Sequence, residues 1–157
     1  MNRLQRFHPS VDLDFIISIS YLNFLINAFI VLLKQKVLLV DDSDIICKRI
    51  SAIVCELSFV EVVGQATDGE QAHDKITHLK PDVVLFDINI PGSSGFDILV
   101  WMRQSSQDIT VIMISNHSQK EYRDKAFSLG ANYFLDKSSE FEKLPQLLTT
   151  INTAHIF

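Results

Sequence analysis

Short segments rich in apolar residues recur at 37–40, 60–66, 83–86, 109–114 and 133–135, and those at 37–40, 83–86 and 133–135 are unbroken. A run that is apolar at consecutive positions, rather than at alternate ones, predicts a strand buried on both faces. The segments between them carry apolar residues at helical spacing. After Ser43, a residue suited to capping, Ile46, Ile50, Ile53, Val54 and Leu57 fall on one face. Ala72, Ile76 and Leu79 do so over 69–79, where Pro81 stops the helix. Phe96, Leu99, Val100 and Met102 are expected to face inward from a third helix over 96–102. A fourth runs over 120–129 and ends at Gly130. A fifth covers 139–154 and is regular from Pro145. The run at 109–114 is the most apolar and is expected to be central.

Five strand–helix units in about 120 residues predict an α/β fold, a doubly wound (βα)5 five-stranded parallel sheet with helices on both faces and right-handed crossovers. Pro91, Gly92 and Gly95 mark a loop after the third strand.

The leader follows a different pattern. Residues 15–33 contain no charge, and only Ser18, Ser20, Asn23 and Asn27 are not apolar or aromatic. An extra N-terminal apolar helix is predicted there, about 28 Å long and so near the thickness of a bilayer core. No small-residue cleavage site follows, so it is a poor secretory signal. Three readings stay open: a membrane anchor through 15–33, a mis-called extension with the true start at Val31, Leu32 or Leu33, or a packed soluble helix. The domains are therefore expected as a leader over 1–35, a core domain over 36–154 and a tail over 155–157.

Composition agrees with that division. Of 157 residues, 47% are hydrophobic and 21% charged, which excludes a disordered chain. The net charge is −5, and it is unevenly spread. Residues 1–36 hold four basic and two acidic side chains, and 37–157 hold ten and seventeen. An acidic domain without a basic stripe argues against nucleic acid as a partner. Cys47 and Cys55 lie eight apart on one predicted helix, about 12 Å, too far for a disulfide. Free thiols fit a reducing, cytoplasmic setting.

In an open parallel sheet, ligands bind beyond the carboxyl ends of the strands, near the point where strand order reverses. Polar residues cluster at those ends here: Asp41 and Asp42 after the first strand, Asp87 after the third, Ser115 after the fourth and Lys137 after the fifth. A single Asp could simply cap the next helix. Three carboxylates at one edge repel one another unless a cation compensates. That points to Mg2+, with the carbonyl of residue 89 as a further ligand. The hydroxyl of Ser115 and the cation of Lys137 suit an anion rich in oxygen, such as a phosphoryl group. No Gly-rich nucleotide loop is present, so Asp87 is expected to act as a nucleophile and carry an aspartyl phosphate.

These residues stand in LLVDDS (38–43), LFDINIPGSSG (85–95), VIMIS (111–115) and FLDKS (134–138). In content, order and spacing the motifs resemble the receiver domain of two-component response regulators, with its flavodoxin-like fold. SNHS (115–118) and EFEKL (140–144) resemble a branch of small, stand-alone receivers. The resemblance implies that Asp87 is the phosphoacceptor. It makes Asp42 a direct Mg2+ ligand, Asp41 a ligand through water, and the Asn89 carbonyl the last protein ligand. Ser115 takes the hydroxyl role, Lys137 pairs with Asp87 and its phosphate, and Phe134 is the aromatic switch residue, turning inward as Ser115 moves.

It further implies a sensor histidine kinase or phosphotransfer protein as the donor partner, and an unknown downstream protein target. No catalysis is expected beyond the domain's own phosphorylation and dephosphorylation. With no output module after the last helix, output is expected from the receiver surface. Three residues depart from the common pattern. Asn116 stands where a small residue is usual, Ser138 replaces a proline, so no cis peptide is expected there, and His73 occupies a usually apolar helix position. The alternative is a receiver-fold adaptor that works without phosphorylation, but that reading expects one of the five site groups to be lost. A haloacid-dehalogenase-type phosphatase would need an acid where Asn89 stands.

Overall fold

The computed structural model describes residues 13–32, 34–105, 108–117 and 119–154. The chain divides into two compact units, 1–33 and 34–157. In the first, helix α1 spans Leu13–Leu32, and its side chains are described over 16–26. Ile16, Ile17, Ile19, Leu22, Phe24, Leu25 and Ile26 are all exposed there. Among the described residues no helix is long and apolar enough to cross a membrane. The expected span over 15–33 extends beyond the described side chains, and the tail at 155–157 lies outside the described residues.

The second unit alternates strands and helices. Its order is β1 (Gln35–Val40), α2 (Asp44–Cys55), β2 (Val60–Ala66), α3 (Gly69–Leu79), β3 (Val83–Asp87), a hairpin of β4 (Asn89–Ile90) and β5 (Ser93–Ser94), α4 (Gly95–Gln104), β6 (Thr110–Ser115), α5 (Lys120–Ser128), β7 (Tyr133–Asp136), a 3-10 turn (Phe141–Lys143) and α6 (Leu144–Ala154). The five long strands form one parallel sheet in the order β2-β1-β3-β6-β7. The middle strand is β3. The run at 109–114, expected to be central, forms β6, an interior strand beside it.

The continuous apolar runs are explained by two cores. Successive strand residues point to opposite faces. Leu38, Val40, Val84, Phe86, Val111 and Met113 pack with α3, α4 and α5. Val37, Leu39, Val83, Leu85, Ile112 and Ile114 pack with α2 and α6. Each such side chain contributes about 1.5–3 kcal/mol relative to an exposed one.

Local signals set the element ends. The side chain of Ser43 accepts from the Ile46 N–H and caps α2. Asp68 caps α3 the same way through the Gln71 N–H. On α2 the buried residues are Cys47, Ile50 and Val54. On α4, Ile98 is buried beside Phe96, Leu99 and Met102, while Val100, expected inward, is half-buried. The loop expected at Pro91–Gly92 is instead the tip of the β4–β5 hairpin, where Gly92 adopts φ +80. The first turn of the last helix is 3-10, and regular α-helix begins at Leu144.

Candidate functional site

Strand order places β1 and β3 side by side, with β2 beyond one and β6 beyond the other. Successive connections therefore diverge between β1 and β3, and a crevice opens at their carboxyl ends. Asp41 and Asp42 follow β1, and Asp87 ends β3. Their carboxylate oxygens lie within 4.8 Å of one another. Asp41 and Asp87 are buried and Asp42 is exposed, so the cluster is reached from one side.

Gly95 permits the close approach of α4 to β3. A Cβ there would meet the backbone oxygen of Asp87 at 2.4 Å and Ile88 Cα at 3.0 Å. The Gly95 N–H donates to the Ile88 carbonyl at 2.8 Å, which fixes the chain just after Asp87. Asp87 also accepts from the backbone N–H of Asn89. The side chain of Asn89 is exposed.

Lys137 enters from the end of β7. Its Nζ donates to Asp41 Oδ2 at 2.5 Å and to Asp87 Oδ2 at 2.8 Å, and all three residues are buried. Burial acts against the Lys137 ammonium, but bonds to the two carboxylates outweigh it and hold the group above the usual lysine value. Burial raises the Asp87 carboxyl above the usual carboxylate range, and Lys137 opposes the rise without cancelling it. The other oxygen of Asp41 accepts from the Ser43 N–H at 2.9 Å. Cys47 lies just behind, its thiol donating to the Asp41 carbonyl, and its pKa is raised chiefly by burial. Both cysteines are free, Cys47 buried and Cys55 exposed.

Ser115 ends β6 and is fully buried, its Oγ accepting from the His117 N–H at 3.0 Å. Its carbonyl accepts from the Lys137 N–H at 2.9 Å, joining the two strand ends. The His117 ring stacks on Tyr122 of α5. Phe134, on β7, is buried, with the Arg123 guanidinium 4.8 Å above its ring. Of the departing residues, Asn116 is exposed, and His73 is half-buried against Trp101 with ring centroids 4.0 Å apart. Ser138 sits in a chain with no cis peptide among the described residues.

Sequence reasoning missed a set of polar residues around the β7 end. The side chain of Asp136 accepts from both the N–H and the hydroxyl of Ser138. Glu140 accepts from the Asp136 N–H and from Arg123. An Asp two residues before a Ser is a turn signal that would have revealed the first of these. The Arg123 contact has no local signature.

The donor set fits a small divalent cation: hard carboxylate oxygens, one exposed and two buried, converging within 4.8 Å. With a buried hydroxyl and a lysine beside them, the same edge suits a phosphoryl group.

Known proteins share this arrangement. The chain matches the family described as the response regulator receiver domain over residues 37–149. It is 31% identical to the response regulator GacA of Pseudomonas syringae over 116 residues, which covers 74% of this chain and 54% of that protein. It is 41% identical over 108 residues to a protein-glutamate methylesterase/protein-glutamine glutaminase of Syntrophomonas wolfei, covering 68% of this chain and 30% of that protein. The chain therefore spans about half the length of the GacA relatives and under a third of the methylesterase. Among solved structures, the receiver domain of CheB from Thermotoga maritima superposes with a TM-score of 0.69 at 30% identity, covering 79% of this chain and 98% of that one. The receiver domain of NarL from Mycobacterium tuberculosis gives 0.71 at 28%, covering 76% and 97%. The sheet order, the carboxylate cluster and these matches identify the chain as a member of the response regulator receiver family of two-component systems.

Proposed function

We propose that this protein is a single-domain, Mg2+-dependent phosphoryl acceptor that switches a protein-binding surface in a phosphorelay. The observation that carries the reading is Lys137 bridging Asp41 and Asp87 beside Asp42, at the crevice between β1 and β3.

Asp87 is the nucleophile. One of its carboxylate oxygens bonds to phosphorus as the bond from phosphorus to the donor's leaving group breaks, and the leaving group departs with that electron pair. Mg2+, when bound, neutralises charge between the phosphoryl oxygens and the carboxylates. Asp42, exposed, is its direct ligand, and the Asn89 carbonyl is a further one. Both oxygens of Asp41 are already engaged, by Ser43 and Lys137, which supports contact through water. Lys137 and the Ser115 hydroxyl would take phosphoryl oxygens. Phe134 is the switch residue that reports this to the surface.

The donor is a sensor histidine kinase or phosphotransfer protein, and the target is a protein rather than nucleic acid. The domain turns over no external substrate. It works in the cytoplasm, a setting supported by its two free cysteines.

Incubation with acetyl phosphate and Mg2+ should add one phosphoryl group by intact mass. EDTA and Asp87→Asn should each abolish the gain. A gain that persists in Asp87→Asn would place the phosphate elsewhere and overturn the assignment.

A further inference from the structure

Lys137 must reach the site from a turn that no proline stiffens. Ser138 follows it, so the backbone there has no ring-locked φ. Beyond the bond from its own N–H to the Ser115 carbonyl, something else must hold the lysine's main chain.

The structure assigns that task to Glu140, itself held by Arg123: the pair are positioning residues for Lys137. One Glu140 oxygen accepts from the Asp136 N–H at 2.9 Å, and the Glu140 N–H donates back to the Asp136 carbonyl at 2.9 Å. A single residue thus grips both backbone groups of the residue preceding Lys137. Arg123 reaches over from α5. It donates to the same Glu140 oxygen at 2.5 Å and to the Phe134 carbonyl at 3.2 Å, with its guanidinium over the Phe134 ring. Lys143 donates to the other Glu140 oxygen at 2.8 Å. The Glu140 carboxyl is pushed down to about 2, by Lys143 first, against burial, with the Asp136 N–H and Arg123 adding to the effect. It is therefore ionised at neutral pH.

The bracket spans residues 123 to 143 and ties α5, the switch ring and the lysine's main chain into one unit. Part-buried charge-assisted bonds of this kind fix geometry more than they add stability. A shift of α5 would carry Glu140 with it and change the reach of Lys137. Equally, a lysine drawn onto a phosphoryl group would pull on α5.

This inference rests on the reading that Lys137 contacts the incoming phosphoryl group, and the experiment separates the two. The full chain is compared with Glu140→Ala, Glu140→Gln, Arg123→Lys, Lys137→Ala and the Glu140→Ala/Lys137→Ala double variant. Mg2+ affinity is read by calorimetry, phosphoryl incorporation by mass, and folding by circular dichroism. Glu140→Ala should slow incorporation about tenfold or more. It should also shift the Mg2+ Kd toward the tighter value of Lys137→Ala, because a loosened lysine competes less for Asp41 and Asp87. Glu140→Gln should regain most of the rate, since its amide oxygen keeps the Asp136 N–H. With Lys137 already Ala, the Glu140→Ala change should move neither quantity, because it acts through that lysine.

Equal effects of Glu140→Ala in both backgrounds would overturn the proposal. So would an unchanged rate and Kd in a folded Glu140→Ala. If Glu140→Ala fails to fold, Arg123→Lys, which keeps the charge but loses the fork, decides on the same two quantities. If the wild type takes up no phosphoryl group, the phosphoacceptor reading fails. The Mg2+ Kd still decides this one: tightening that disappears in the Lys137→Ala background upholds it, and no tightening overturns it.

Discussion

Lys137 donates to Asp41 at 2.5 Å, a contact between residues 96 positions apart in the chain. Lys137 also donates to Asp87, so a cation held by the carboxylates competes with the lysine for their negative charge even where it meets Asp41 only through water. Removing the ammonium relieves that competition. Lys137→Ala is expected to bind Mg2+ at least about fivefold more tightly than the wild type. Phosphorylation-linked changes, followed through Trp101 fluorescence, should be reduced in the same variant. Weaker Mg2+ binding would show that the lysine supports the metal site rather than opposing it.

The Asp87 carboxyl lies above its ordinary range because burial outweighs the help from Lys137. An acid whose folded pKa is raised costs stability once both states ionise, so its contribution falls as pH rises through the folded value. Asp87→Asn removes that cost while Asp41 still pairs with Lys137. In metal-free buffer at neutral pH the variant should be more stable than the wild type. The difference should vanish toward acidic pH, below the unfolded carboxylate value. Urea midpoints measured across pH check this, and a less stable variant at neutral pH would contradict it.

Glu140 behaves in the opposite sense. Its pKa, about 2, lies below the usual glutamate value of 4.5. The stability it provides is present above the unfolded value and is lost as pH falls from there toward 2. Glu140→Gln should flatten the acid limb of the stability curve over that window and leave the limb above pH 5 unchanged. An acid limb identical to the wild type's would mean that Glu140 is not held in solution as it is in the structure.

Gly92 at the hairpin tip and Gly95 at the start of α4 should respond differently to alanine. At Gly95 a Cβ would overlap the Asp87 backbone oxygen, so Gly95→Ala should cost about 1–3 kcal/mol and displace the nucleophile. At Gly92 nothing lies within 4 Å, but φ is +80, so Gly92→Ala should cost about 1 kcal/mol through backbone strain alone. Phosphorylation rates should fall for the first and hold for the second. A phosphorylation-competent Gly95→Ala would mean that α4 does not press on β3 as described.

The sheet was legible because burial on both faces prints an unbroken apolar run, and Val83, Val84, Leu85 and Phe86 form one. The carboxylates and Lys137 were legible because they lie within two residues of the carboxyl ends of such runs. The β4–β5 hairpin was not, because two-residue strands have no period to read. Ile98 replaced Val100 in the core because the packing of α4 against the sheet, not helical spacing alone, selects among neighbouring positions. Long side chains were the hardest to place. Lys137 was expected to pair with Asp87, and its second partner, Asp41, depends on where two distant strand ends meet. The reach of Arg123 to Phe134 and Glu140 depends on the tertiary position of α5 in the same way.

Because β7 lies at the far edge of the sheet from β2 and comes late in the sequence, the site has a birth order. Asp41, Asp42 and Asp87 leave the ribosome well before Lys137, which trails Asp87 by 50 residues. A nascent or truncated chain that ends before β7 owns the acids without the cation that bridges them. Under the proposed chemistry such a chain cannot be labelled, and neither can a mature copy whose last strand has come loose. An aspartyl phosphate on this protein would then report that the strand carrying Lys137 has been made and docked, and copies lacking it would stay silent in the signalling pool.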